Sequence, residues 1–390
     1  PKGVAITHAN VQNTALDLER RFPLGRDDVF LLKTSFTFDI FGTEIYGWLV
    51  GDGRLAILPV GQEGDPQALA RAVRTYGVTH LNSSPTMLRV LLATIESTGR
   101  RHDLDGLTHL FSGGEALTPD IIERFFALRL PCTLENVYGP TEATMWATHT
   151  RIHPEDSVAN APIGTPLNDY RIYILNSRGD LCGTDLPGEV CIAGAGVGVG
   201  YLNREELTAE HFVENPFFDA DIDPEHMRRM YRTGDLGMWD ENLLLHFLGR
   251  RDNQVKIRGH RIELGDVEQH LRSIDGVREA VVVPTPDRTA LIGLVSPPEG
   301  LTAEPDRILE ALADQLPSFM LPRRIRTIDR MPLSTNGKID RRRAAAIALD
   351  DRGDAPAPSE GSSAPTARRS SRRSTKRLPP CSPIIRMPSC

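Results

Sequence analysis

Short apolar runs alternate with amphipathic helical patterns from about residue 29 to residue 150. Asp65-Pro66 predicts a helix start, because an aspartate caps the first turn and proline is tolerated at the first helical position. The apolar positions that follow share one helical face. Strands that alternate with helices predict a largely parallel sheet with covered faces. Two further helices are predicted to begin at Pro85 and at Thr118-Pro119. Two strands are predicted over residues 78–81 and 107–111.

The pattern changes after residue 160. Two strands over residues 170–175 and 189–193 are separated by turns rich in Gly and Pro, and no long helix is evident up to about residue 247. This pattern predicts a small antiparallel or barrel-like unit. Helix and strand patterns then alternate again, with a helix over 264–271 and strands over 277–283 and 290–295. They indicate a small α+β unit.

The predicted fold class is therefore α/β, a large core with a small β-barrel-like subdomain, followed by a small α+β domain. We place the α/β part of the core at residues 1–155, the β-rich subdomain at 156–250 and the small domain at 253–347. Residues 348–390 are rich in Ser, Pro and Arg. Because this tail has few large apolar residues to offset chain entropy, we expect it to be disordered.

Composition excludes some classes of function. The net charge of −7 argues against nucleic-acid binding by the chain as a whole. No apolar run approaches the roughly 18 residues of a membrane helix. The five cysteines form no C-x-x-C pair, which favours a cytoplasmic location. The Arg-rich tail could contact nucleic acid, but a solvated extension is the preferred interpretation.

Four segments place charged or aromatic residues beside glycines at turns. In residues 136–142 (NVYGPTE), an aromatic ring could stack on a base and a carboxylate could hold Mg²⁺ through oxygen. Read alone, this segment is better explained by a buried tyrosine and a solvated glutamate beside a tight turn. The other three segments have similar plain interpretations as turns or a solvated basic strand: residues 231–236 (YRTGDL), 249–263 (GRRDNQVKIRGHRIE) and 336–340 (NGKID).

Taken together and in this order, the segments resemble the adenylation domains of nonribosomal peptide synthetases, within the adenylate-forming ligase superfamily. The resemblance covers about residues 1–345. It also includes residues 1–4 (PKGV), 38–39 (FD), 188–190 (GEV), 200–202 (GYL) and 316–322 (LPSFMLP).

The resemblance implies activation of an amino acid with ATP and Mg²⁺ to an aminoacyl-AMP. The acyl group would then pass to the phosphopantetheine thiol of a carrier protein, beside neighbouring synthetase modules. Catalysis would consist of positioning and charge stabilisation at the α-phosphate. By position in the motifs, the implied nucleotide contacts are Asn136, Tyr138, Gly139, Asp235 and Arg250. The implied catalytic residues are Lys2, Thr141, Glu142 (also the Mg²⁺ ligand) and Lys338, and the implied hinge is Asp252.

The resemblance also implies a substrate pocket. Asp39 would pair with the substrate's α-ammonium group, and the lining would be Ile40, Thr43, Asn82, Phe111, Gly113, Val137, Met145 and Trp146, completed by Lys338. The alignment could slip by one residue at Asn82. A bulky lining without counter-charge favours a small side chain, since an unpaired buried charge is costly. Glycine is the first expectation, followed by alanine, serine and threonine, whose hydroxyl Thr43 or Asn82 could bind.

Two features depart from the family pattern. Of the family's phosphate loop only the ending, Pro-Lys-Gly, is present, so we expect the N-terminal part of the large domain to be missing and this segment alone to be inactive and poorly soluble. The tail also lacks the helical serine site of a carrier domain. The alternatives are an acyl- or aryl-CoA ligase of the same superfamily and an inactive truncated remnant.

Overall fold

A computed structural model describes residues 2–158, 161–251, 254–298, 302–332 and 339–350. It divides into two compact units, the first ending at Gly259 and the second beginning at His260. The division falls several residues after the predicted boundary at 250–253, and the four predicted segments remain a prediction. The predicted disorder after residue 350 lies outside the described residues.

The first unit alternates strands and helices and then becomes mainly strands. Its elements are β1 (Val4–Ala5), α1 (His8–Arg21), β2 (Val29–Leu32), α2 (Phe41–Val50), β3 (Arg54–Ile57), α3 (Pro66–Tyr76), β4 (His80–Ser83), α4 (Pro85–Thr98), β5 (His109–Gly113), α5 (Pro119–Ala127), β6 (Thr133–Tyr138), β7 (Thr148–Arg151), β8 (Pro162–Pro166), β9 (Tyr170–Leu175), β10 (Gly188–Gly194), β11 (Gly200–Tyr201), α6 (Glu205–His211), β12 (Phe212–Glu214), β13 (Arg229–Trp239), β14 (Leu245–Arg250) and β15 (Gln254–Ile257).

The predicted helix starts are confirmed, and polar caps explain two of them. The side chain of Asp65 accepts a hydrogen bond from the Gln67 amide at 2.9 Å at the start of α3. Ser84 accepts one from the Met87 amide at 3.3 Å at the start of α4. These bonds satisfy amides that have no partner within the helix. Helices therefore begin where the sequence predicts.

One large sheet runs through the first unit, in the order β3-β2-β4-β5-β6-β7-β8-β14-β13-β10-β9, with β12 paired to β13. The neighbours from β3 to β6 are parallel. From β6 onward the pairs along this order are antiparallel. The predicted antiparallel strands are present, but they continue the parallel sheet through β7 and β8, which the sequence pattern did not predict.

The parallel strands separate two hydrophobic clusters. Leu81, Leu110 and Leu134 belong to the cluster formed with α3, α4 and α5. Phe111 and Val137 belong to the other, because successive side chains on a strand point to opposite faces. The second face carries the predicted substrate pocket, so the strand register decides which residues line it.

The second unit contains β16 (His260–Glu263), α7 (Leu264–Arg272), β17 (Glu279–Pro284), β18 (Leu291–Ser296), α8 (Pro305–Ala313), β19 (Arg324–Thr327) and α9 (Arg341–Leu349). Strands β17 and β18 are antiparallel, and β18 and β19 are parallel. Its core includes Val281, Leu294 and Ala344. The predicted small α+β unit is thus present. Within the described parts of the whole chain, every helix is too short or too polar to cross a bilayer.

A buried carboxylate joins three elements of the second unit. Glu268 on α7 is 4% exposed, and its Oε1 accepts a hydrogen bond from the Val282 amide on β17 at 2.9 Å. The guanidinium groups of Arg341 and Arg272 also contact this carboxylate. The contact thus ties α7 to β17 and to α9.

We expect Glu268→Ala to destabilise the second unit by about 2 kcal/mol, because the Val282 amide and the Arg341 guanidinium lose this acceptor. Native-state hydrogen exchange of the Val282 amide should accelerate roughly thirtyfold. Glu310→Ala, at an exposed position of α8, is the matched control and should leave exchange unchanged. Equal exchange in both variants would contradict the assigned role.

Candidate active site

The loop after β6 returns tightly on itself. Gly139 follows Tyr138, the last residue of β6, and a Cβ atom at Gly139 would lie 2.4 Å from the Met145 carbonyl oxygen. The Ala147 amide donates to the Tyr138 carbonyl at 2.8 Å and closes the loop. Glycine is therefore required by close backbone approach. The loop lies at the carboxyl end of the last parallel strand, where ligands bind in open α/β sheets.

Tyr138 and Arg250 meet on the carboxylate of Asp235. The Tyr138 hydroxyl donates to Asp235 Oδ2 at 2.6 Å, and the Arg250 guanidinium donates to Oδ1. Arg250 also donates to the Thr233 carbonyl at 3.1 Å. Burial, followed by the negative charge of Asp235, raises the pKa of Tyr138, so this phenol remains a donor. Three predicted nucleotide contacts are thus brought together.

Asn136 is oriented differently. Its side chain is buried and donates to the Pro162 carbonyl on β8 at 2.8 Å. The described contact is therefore a structural link between β6 and the start of β8. Its predicted place beside adenine stays a prediction.

Glu142 and Lys2 both contact Tyr201. The Tyr201 hydroxyl donates to Glu142 Oε1 at 2.6 Å, and the Glu142 side chain is 2% exposed. The Lys2 ammonium group lies 5.6 Å from the centre of the Tyr201 ring. Burial, followed by the charge of Glu142, raises the pKa of Tyr201. Pairing of Val4 with Tyr201 in strands β1 and β11 brings the end of the predicted phosphate loop here.

Sequence reasoning assigned Tyr201 no role. Its motif, residues 200–202, is part of the resemblance, but a single tyrosine there carries no signal for a contact with Glu142, 59 residues away. The contact follows from the packing of β11 against the loop after β6, which a sequence motif does not encode.

Asp39 lies in the turn before α2 and close to the same loop. Its side chain is half-buried, and this burial raises its pKa. A hydrogen bond from the Thr141 hydroxyl and the charge of Lys256 oppose the rise, while Glu142 adds to it. The site therefore gathers Asp39, Thr141 and Glu142. Lys256 belongs to the segment that the sequence predicts to be a solvated strand, but it lies close enough to Asp39 for its charge to lower the pKa of that residue.

The sheet face beside Asp39 carries the predicted pocket residues in register. Asn82 on β4 is paired with Phe111 on β5, and Gly113 on β5 with Val137 on β6. A Cβ atom at Gly113 would lie 2.6 Å from Val137 Cγ2, so any larger residue would displace this wall. Asn82 donates to the Thr43 hydroxyl at 2.7 Å. The structure thus brings four of these positions onto one sheet face, with Thr43 of α2 in contact with Asn82.

Two further pocket residues close the wall. Trp146 packs on Phe111 with ring centres 5.2 Å apart, and Met145 packs against the backbone of Gly42 in α2. Ile40 is the half-buried residue that precedes this helix. Phe111 and Trp146 also line a cavity of about 20 Å³ that is shared with Phe30 and His80 and has room for about one water molecule.

Two predicted residues lie outside the described residues: the catalytic Lys338 and the hinge Asp252. In the described parts of the chain, no group of three or more His, Cys, Asp or Glu side chains is arranged to hold a metal ion. A Mg²⁺ ion bound at Glu142 would therefore need ligands from substrate phosphates and water, as is usual for this ion.

Comparisons with known proteins identify the family of the chain. A family model described as "AMP-binding enzyme" matches residues 1–202, and a model described as "AMP-binding enzyme C-terminal domain" matches residues 266–338. The chain is 37% identical over 354 residues to a linear gramicidin synthase protein of Brevibacillus parabrevis. This alignment covers 90% of the chain but 7% of that protein, so the chain spans a small part of its relative.

Solved structures lead to the same family. The adenylation domain AlmE of Vibrio cholerae, in complex with glycyl-adenosine-5'-phosphate, superposes with a TM-score of 0.76 at 26% identity, over 89% of this chain and 64% of that chain. Holo-PA1221, an NRPS protein containing adenylation and PCP domains, superposes with a TM-score of 0.76 at 27% identity, over 89% of this chain and 57% of that chain.

The predicted resemblance to adenylation domains of nonribosomal peptide synthetases is therefore confirmed, together with the adenylate-forming fold. With a family model matched over residues 1–202, more than half of its length, the chain belongs to the AMP-binding enzyme family.

Proposed function

We propose that this protein activates an α-amino acid of small side chain with ATP, forming an aminoacyl-AMP, and then transfers the acyl group to a carrier-protein thiol. The observation that carries the proposal is the half-buried carboxylate of Asp39 beside Thr141 and Glu142. A carboxylate at this position is the natural partner of an α-ammonium group. A fatty or aryl acid has no cationic group to offer this carboxylate, whose desolvation is costly.

The residues present fit ATP. Each carboxylate oxygen of Asp235 accepts one described hydrogen bond, from Tyr138 or from Arg250. Because a carboxylate offers about four acceptor sites, Asp235 can still accept from ribose hydroxyls. The Tyr138 ring, held by its own hydroxyl, would stack on adenine. Glu142 would hold Mg²⁺, which supplies positive charge at the phosphates.

In the first half-reaction a substrate carboxylate oxygen attacks the α-phosphorus, and the bond to the bridging oxygen breaks as pyrophosphate leaves. Asp39 would hold the ammonium group and so orient the attacking carboxylate. Lys338 is proposed to contact this carboxylate and the α-phosphate, and Lys2 to lie toward the outer phosphates. In the second half-reaction the thiol attacks the acyl carbon, loses its proton and displaces AMP.

The proposed partners follow from the similar proteins. PA1221 contains adenylation and PCP domains in one protein, and the gramicidin synthase protein is much longer than this chain. We infer a carrier domain with phosphopantetheine as the acyl acceptor and neighbouring synthetase modules around it. Asp252 is proposed as the hinge between the two half-reactions.

We expect Asp39→Ala to lower kcat/KM for ATP–pyrophosphate exchange with α-amino acids roughly a hundredfold, because the ammonium group loses its partner. The measurement is exchange by the natural full-length protein. Asp27→Ala, at an exposed position before β2, is the matched control and should match the wild type. A variant with unchanged activity and specificity would refute the assignment of Asp39.

A pH dependence follows from the raised pKa of Asp39. Only the ionised carboxylate of Asp39 pairs with the ammonium group. As the pH falls, this carboxylate becomes protonated around a pKa that lies above the ordinary value of about 3.9. We therefore expect KM for the amino acid to rise at mildly acidic pH in the wild type. Asn at position 39 cannot titrate, so Asp39→Asn should bind the amino acid weakly, with a KM that does not change over the same pH range. The same rise in Asp39→Asn would assign the titration to another group.

We expect Lys338→Ala to reduce adenylation strongly yet spare thioester formation from a supplied aminoacyl-AMP. The reason is that, by the family resemblance, this lysine would face the active site in only one orientation of the small domain. Pyrophosphate exchange measures the first step, and acylation of holo carrier protein measures the second. Equal losses in both steps would contradict the two-state interpretation.

A further inference from the structure

Asn82 is a buried polar residue in the middle of an otherwise largely apolar wall. Its side chain is 1% exposed, it sits on β4 beside Phe111 of β5, and it contacts Thr43 of α2. The strand register puts Asn82 on the sheet face of Phe111, whereas its neighbour Leu81 belongs to the cluster on the opposite face.

Asn82 is hydrogen-bonded to the start of α2 through Thr43. The Thr43 hydroxyl donates to the Ile40 carbonyl at 2.8 Å and accepts from the Asn82 amide nitrogen at 2.7 Å. In this arrangement the amide nitrogen faces Thr43 and the amide oxygen faces away from it.

The amide oxygen is left as a buried acceptor. Asn82 Oδ1 has no hydrogen-bond partner among the described residues. A buried acceptor without a donor is costly and rare in folded proteins, so such an atom calls for an explanation. At a substrate pocket, the simplest explanation is a donor that the substrate supplies.

We propose, on the basis of the function proposed above, that the substrate is an α-amino acid with a hydroxyl on a short side chain, the class of serine and threonine. The hydroxyl donates to Asn82 Oδ1. Glycine and alanine leave this acceptor unpaired, and a longer side chain would meet the packed rings of Phe111 and Trp146. A second unpartnered group at this wall, Trp146 Nε1, adds a donor that a hydroxyl could also satisfy.

The test is ATP–pyrophosphate exchange by the natural full-length protein with two matched pairs, serine against alanine and threonine against valine, and with glycine. We expect kcat/KM for the better hydroxy amino acid to exceed that for its partner and for glycine at least about tenfold, as one buried hydrogen bond allows. In Asn82→Leu, which keeps the volume but lacks the acceptor, this ratio should fall to about threefold or less.

Thr43→Val provides a second variant that keeps Asn82. It removes the acceptor that anchors the amide nitrogen, so the discrimination should also weaken. Ser97→Ala, at an exposed position on α4, is the control and should keep the wild-type ratio.

The outcomes separate the two proposals. A kcat/KM for glycine or alanine equal to that for serine and threonine would overturn the inference and leave the proposed function intact. A wild-type preference for hydroxyl that both pocket variants retain would overturn the role of Asn82. Exchange with carboxylic acids that lack an amine, and with no α-amino acid, would overturn the proposed function itself.

Discussion

The carboxylate of Asp235 is the constraint on which the rest of the site depends. It accepts hydrogen bonds from Tyr138 at the end of β6 and from Arg250 at the end of β14. It thereby ties the parallel part of the large sheet to the antiparallel part. A buried charge must be paired, and breaking such a pair is strongly destabilising. The two partners hold the loop after β6 in place, and with it Thr141 and Glu142.

The same loop brings like charges together. Asp39, Glu142 and Asp235 all lie around it, and Glu142 helps to raise the pKa of Asp39. Carboxylates crowded in this way favour cations, and each has a cationic partner available or proposed: Arg250 for Asp235, a substrate ammonium group for Asp39 and Mg²⁺ for Glu142. This arrangement suits a reaction in which an amine-bearing substrate meets a polyphosphate, because the acidic groups recognise the cations that such substrates bring.

The sequence predicts local features well, because their causes are local. Asp65 starts a helix through its own side chain, and Gly139 marks a turn through its missing Cβ. The continuous sheet could not be predicted, since β8 pairs with β14 across about 80 residues of chain. The contact of Tyr201 with Glu142 and the amide orientation of Asn82 also depend on tertiary packing. The roles of Lys338 and Asp252 are predicted from the motif resemblance alone, because both residues lie outside the described residues.

The most direct test of the proposed site is a crystal structure of the natural full-length protein with a non-hydrolysable aminoacyl-adenylate analogue. We expect the adenine ring against Tyr138, the ribose hydroxyls on Asp235 and the ammonium group on Asp39. An analogue bound with its adenosine away from Tyr138 and Asp235, or with its ammonium group distant from Asp39, would contradict the proposed site.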